Sequence, residues 1–156
     1  MAGFEWKYNL SGGRPLILSY FFKDTETLTK GDMCNLESGE IDLAVTTDTA
    51  FIGAFQGAEI PSEEKDSNGV LTPGVVAGTD STTLGKVVAN PDAVYSTPDS
   101  NARLAGATLD ISGATGAQGV AASNNTEFVV VERKRQSSDP TFVQIISTIH
   151  YLTKSQ

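Results

Sequence analysis

Histidine and cysteine are nearly absent: the chain holds one of each, His150 and Cys34. A single cysteine excludes an internal disulfide, so stability has to come from packing or from association. One imidazole and one thiol cannot furnish a zinc site, and any nucleophile–histidine arrangement would have to use His150. Long apolar runs are missing too. The longest, FVVV at residues 128–131, falls far short of the roughly 20 residues of a membrane-spanning helix. No segment sustains a 3.6-residue apolar period, so little helix is expected.

Bases are scarce where acids gather. Residues 37–80 carry nine acids and one base, Lys65, a net of -8, and the rest of the chain carries ten of each and sums to zero. Such a chain repels phosphate backbones, and its one basic cluster, Arg133, Lys134 and Arg135, is too short for a nucleic-acid footprint. The first fifteen residues, MAGFEWKYNLSGGRP, show an early acid and no apolar core of secretory type, which leads to the expectation of synthesis in a cytoplasm.

What is there reads as one folded domain. A chain of 156 residues with 39% hydrophobic and 19% charged residues can bury a core and is too apolar for disorder. Residues 16–23, LILSYFFK, alternate as a strand largely buried on both sides. Residues 33–36 and 41–45 flank Ser38 and Gly39 and form a hairpin. A second hairpin is signalled by GKVV and AVYST around NPD. Near the C-terminus, TEFVVVERKR and TFVQIISTIHY pair antiparallel across QSSDP, with Val143, Ile145, Ser147, Ile149 and Tyr151 on one face. Residues 61–83, rich in Pro, Gly, Ser and acids, read as a long, mobile loop. Short strands, Gly-rich turns and missing helix indicate an all-β barrel or sandwich.

Phe4, Trp6, Tyr8 and Leu10 recur at period two ahead of the breaker cluster SGGRP. In an extended conformation all four lie on one side. Two readings stay open: residues 1–15 are an arm that lies on a partner, or a first strand packed on the chain's own core. Residues 16–156 are then the body.

The stretch LDISGATGAQGVAAS spaces Gly113, Gly116 and Gly119 by three. A phosphate loop would follow its last glycine with Lys and Ser or Thr at a helix start, whereas Gly119 precedes Val120 and Ala121. The spacing is not that of a dinucleotide fingerprint, and the triplets are too few for collagen. A backbone bend after a strand at residues 109–111 explains it. No Gly-x-Ser-x-Gly elbow occurs, and Glu63 and Glu64 lie in a polar loop that would not dehydrate them. Asp66 to Gly69, DSNG, lacks the calcium-loop spacing. A Cys34–His150 dyad is the one catalytic arrangement left to consider. A carboxylate-only calcium site stays open beside it. A free cysteine is usually a small buried hydrophobe, a strand histidine is usually structural and the acidic loop reads as a solvated surface, so no catalytic, cofactor or metal site is expected.

WKYNLSGGRPLI, TKGDMCNLESGEIDLAVTTDTAFIG, AGTDSTTLGKVV and DAVYSTPDSNARLAGATLDISGATGAQGVAASNNTEFVVVE stand in an order that resembles the small head decoration, or cement, proteins of tailed bacteriophages. The likeness runs from about Trp6 to Glu132 and rests on turns and strand edges. It implies a β-rich body, often a β-tulip, that binds the outside of the expanded head in the virion and clamps neighbouring major capsid protein subunits. It also implies a homotrimer at local threefold positions and an extended N-terminal segment, on which Phe4, Trp6, Tyr8 and Leu10 would be the capsid-binding arm. No cofactor, nucleic acid or membrane is implied. Adding a strand to a partner's sheet edge supplies main-chain hydrogen bonds, and repetition over a trimer supplies avidity. A tail or fibre accessory domain recognising a host glycan is the competing class. It would need an aromatic platform, and Tyr95 is the single aromatic in residues 56–127.

Overall fold

The computed structural model describes residues 3–78, 82–122, 126–134 and 136–153. Its strands are, in chain order, β1 (Glu5–Asn9), β2 (Ile17–Phe22), β3 (Thr27–Thr29), β4 (Met33–Glu37), β5 (Glu40–Leu43) and β6 (Phe51–Ala58). There follow β7 (Val75–Ala77), β8 (Leu84–Val88), β9 (Ala93–Thr97), β10 (Thr108–Ser112), β11 (Gly119–Ala122), β12 (Phe128–Glu132) and β13 (Thr141–Ile145). The protein is all-β, and one 3-10 turn, Pro61–Glu63, is the sole helical element among the described residues.

Five strands close a barrel in the order β2-β5-β4-β6-β8, and six form a sheet in the order β1-β9-β13-β12-β10-β11. β3 and β7 make a separate two-stranded ladder. All pairings are antiparallel except β2 with β5. Two apolar clusters result. One fills the barrel around Phe22, Cys34, Ile41, Ile52, Phe55 and Val87. The other joins barrel residues Met33, Phe51, Ala54 and Val88 to sheet residues Tyr95, Leu109, Phe128, Val130, Val143 and Ile145. The second cluster is the seam between barrel and sheet, so neither layer buries its apolar face without the other.

The hairpin β4–β5 turns at Ser38 and Gly39 as expected. β12 and β13 pair as expected, with Thr141, Val143 and Ile145 buried. The strand stops at Ile145, and a turn then returns the chain so that His150 bridges to Phe51. Gly113 to Gln118 link β10 and β11 as a hairpin loop, which answers the glycine question: a Cβ on Gly113 would meet the Ala117 carbonyl oxygen at 2.4 Å.

Three expectations are corrected. The segments around NPD are strands but not a hairpin: β8 belongs to the barrel and β9 to the sheet, so NPD is the crossover between layers. β2 is not buried on both sides; Ile17, Ser19 and Phe21 point outward and are exposed. Within residues 61–83, the described part is tied down. Val76 is buried where β7 pairs with β3, Asp66 accepts from the Asn68 and Val70 amides, and Glu64 accepts from the Gly74 amide at 2.7 Å. Residues 79–81 of that loop lie outside the described residues.

Candidate docking surface

The four aromatic and apolar residues near the N-terminus do not share one side. Trp6 pairs with Tyr95 and Tyr8 pairs with Val94, with a bulge at Lys7 between them. Neighbours on β9 point to opposite faces, so the bulge sends Trp6 into the seam and Tyr8 onto the sheet's outer face. Phe4, 2% exposed, stacks on Phe128 with ring centroids 5.2 Å apart. Trp6 packs against the same cluster and donates to the Asn9 side chain at 3.0 Å. Tyr8 lies over the outer face and donates to Glu132 at 3.1 Å. Only Leu10, 55% exposed, is free to meet a partner as it stands. An extended arm is thus not what residues 4–9 form: the chain's own β9 offers the edge, and β1 takes it.

Two polar side chains fix the β10–β11 loop to the barrel. Gln118, buried, donates to the Ala44 carbonyl at 2.8 Å and accepts from the Met33 amide at 2.6 Å. Asp32, also buried, accepts from the Thr29 and Gly116 amides at 2.8 Å each and from the Thr115 hydroxyl. Beside β1 runs a groove of about 1090 Å³, whose lining includes Trp6, Lys7, Pro15, Ile17, Lys30 and Gly74.

Neither the Cys34 thiol nor the His150 Nδ1 has the other as its hydrogen-bond partner. The buried Cys34 thiol donates to the Asp32 carbonyl at 3.8 Å, and burial pushes its pKa well above the usual value, which withholds the thiolate a nucleophile needs. His150, fully buried, accepts from the Leu152 amide at its Nδ1, and burial lowers its pKa from 6.5 to about 4. Glu127 is another strongly shifted group. Burial, with Asp110 beside it, raises its pKa from 4.5 to about 7 against hydrogen bonds from Thr46 and the Ile111 amide. Burial would also raise Asp99, but Arg103, Thr141 and the Asn101 amide outweigh it and hold Asp99 at about 2. No group of three or more metal-ligating side chains occurs among the described residues. In the basic cluster, the Lys134 ammonium is spent on the carbonyls of Asp99, Asn101 and Ser137, and Arg135 lies outside the described residues.

The surface that sequence reading missed is the outer face of β2. Ile17 and Phe21, each 41% exposed, continue from exposed Leu10 and Leu16. The signal was there: Ser19 and Lys23 share their face, and polar residues at that period mark a side turned to water. No known family model matches the chain, and no curated protein matches it.

Proposed function

We propose that this chain is a capsid decoration protein: it binds the outer surface of the expanded phage head and stabilises contacts between major capsid protein subunits, without a catalytic step of its own. The resemblance of its phrase order supplies the class. The observation that carries the reading furthest is that one stretch, residues 10–21, leaves four large apolar side chains, Leu10, Leu16, Ile17 and Phe21, in water while the aromatic core is closed. Large apolar side chains left exposed close together in the chain on a well-packed body mark a candidate binding face. Phe4 and Trp6 are committed to the body, so the contacts assigned to an arm fall to this face instead.

Virion localisation, attachment as a homotrimer at local threefold positions and the gain in avidity belong to the same proposal. A glycan-binding tail accessory finds less support, because Phe21 is the one aromatic among the exposed large hydrophobics of the described residues. A heat challenge tests the stabilising role. Expanded heads that lack the protein are heated with and without a saturating amount of it, and DNA release is followed. The proposal expects release at higher temperature when the protein is present. An unchanged release temperature despite bound protein would overturn the clamping role.

A further inference from the structure

The register of the barrel sets one row of outward side chains across β8, β2, β5 and β4 and the residue that follows β6. Phe21 on β2 lies opposite Leu84 on β8 and beside Glu40 on β5. Glu40 lies opposite Glu37 on β4. The Glu59 amide, just beyond β6, donates to the Leu84 carbonyl at 2.9 Å and continues the row on the other side. Read across, the row is Glu59, Leu84, Phe21, Glu40, Glu37, spanning roughly 19 Å at the usual strand spacing. Two apolar side chains are therefore flanked on both sides by carboxylates. Among the described residues, bases near the row include Lys86, opposite Ser19, and Lys23, which is already 3.5 Å from Asp42. Glu37 and Glu40 face each other across a two-residue turn, an arrangement that costs stability in a lone hairpin.

We infer that this row is the docking site for a partner surface that is apolar at its centre and bears lysine or arginine at its edges. The inference rests on the decoration reading for the identity of the partner, a capsid protein surface of that chemistry, but not for the chemistry itself. Charge complementarity picks the occupant: a second copy would bring the same acids against Glu37 and Glu59, in a chain whose net charge is -8. A partner with bases at its edges instead sets them against exposed Glu37 and Glu59 while covering Phe21 and Leu84. The acids would govern the rate of encounter and the salt dependence, and Phe21 the lifetime of the contact.

Two short peptides, one alternating leucine with lysine and one alternating leucine with glutamate, are titrated into the isotope-labelled full chain and followed by amide chemical shifts. The inference expects saturable shifts at residues 19–21, 37–40, 59 and 84–86 with the lysine peptide alone, weakened by about tenfold in Phe21→Ser and in the double variant E37K/E59K. Equal response to both peptides, or shifts centred elsewhere, overturns it. So does self-association of the free chain that Phe21→Ser abolishes, because a second copy would then be the occupant. The same variants are mixed with expanded heads. If wild type binds and both variants bind equally well, the row is not the docking site although the decoration reading stands. If the lysine peptide binds the row and wild type ignores the heads, the decoration reading fails and the row's chemistry stands.

Discussion

At the scale of single residues, two buried titrating groups pull stability in opposite directions over nearly the same pH range. His150 has its folded pKa depressed to about 4, so the unfolded chain binds the extra proton and stability falls as pH drops from 6.5 toward 4. Glu127 has its folded pKa raised to about 7, so the folded chain holds the extra proton and stability falls as pH rises from 4.5 toward 7. Each shift is about 2.5 pH units, or about 3 kcal/mol in opposite directions. The expected result is that their slopes cancel between pH 4.5 and 6.5. Glu127→Gln removes one arm, so the variant's stability relative to wild type should rise steadily with pH over that window, by up to about 3 kcal/mol in urea titrations. A difference independent of pH would contradict the shifted carboxyl. Gln118→Ala leaves the Met33 amide and the Ala44 carbonyl buried without partners, and should cost about 2–4 kcal/mol. Cys34 should stay unreactive to a thiol reagent in the native protein and react fully once unfolded, because its side chain has no access to solvent.

At the scale of elements, β1 distinguishes an arm from a strand. Removing residues 1–12 takes away Phe4 and its stacking on Phe128, for which truncation of a buried aromatic alone costs about 3–5 kcal/mol. The shortened chain should therefore lose cooperative unfolding, as read by calorimetry, whereas Leu10→Ser combined with Leu16→Ser should leave stability within about 0.5 kcal/mol of wild type. A stable truncated body would mean that β1 is dispensable, as an arm would be. β6 carries a second constraint. At Gly53 a Cβ would sit 1.6 Å from the Val88 carbonyl oxygen, so Gly53→Ala has to push β6 and β8 apart and should prevent folding.

Elements were largely legible in the sequence because they depend on local patterns: the Ser38–Gly39 turn, the alternation at residues 141–145 and the Gly113 bend were all readable from neighbours. What escaped depends on partners distant in the chain. Nothing within NPD says that the strands on either side enter different layers; that follows from β8 finding β2 and β6, while β9 finds β1 and β13. The face of Tyr8 could not be read from period two, because the bulge at Lys7 resets the period. β2 looked buried on both sides because barrel closure, which decides what is outside, is not a local property. The docking row is the clearest case. Glu37 and Glu40 flank one local turn, but Phe21, Leu84 and Glu59 come from separate segments, and only the barrel registers set them beside that pair.

At the scale of the whole molecule, the seam makes the barrel and the sheet one unit, since Met33, Phe51 and Val88 complete a core whose other half is Tyr95, Phe128 and Val143. The protein should unfold in a single transition by fluorescence and by circular dichroism, and separated transitions would contradict a shared seam. A body unified by that seam suits the proposed clamp, which would have to hold neighbours at fixed spacing. The measurement that tests the central claim most directly is cosedimentation of the purified chain with expanded heads that lack it, with unexpanded heads as the comparison. The account predicts saturable binding to expanded heads alone, at a fixed copy number per major capsid protein subunit. Absence of binding to expanded heads, or equal binding to both forms, would contradict it.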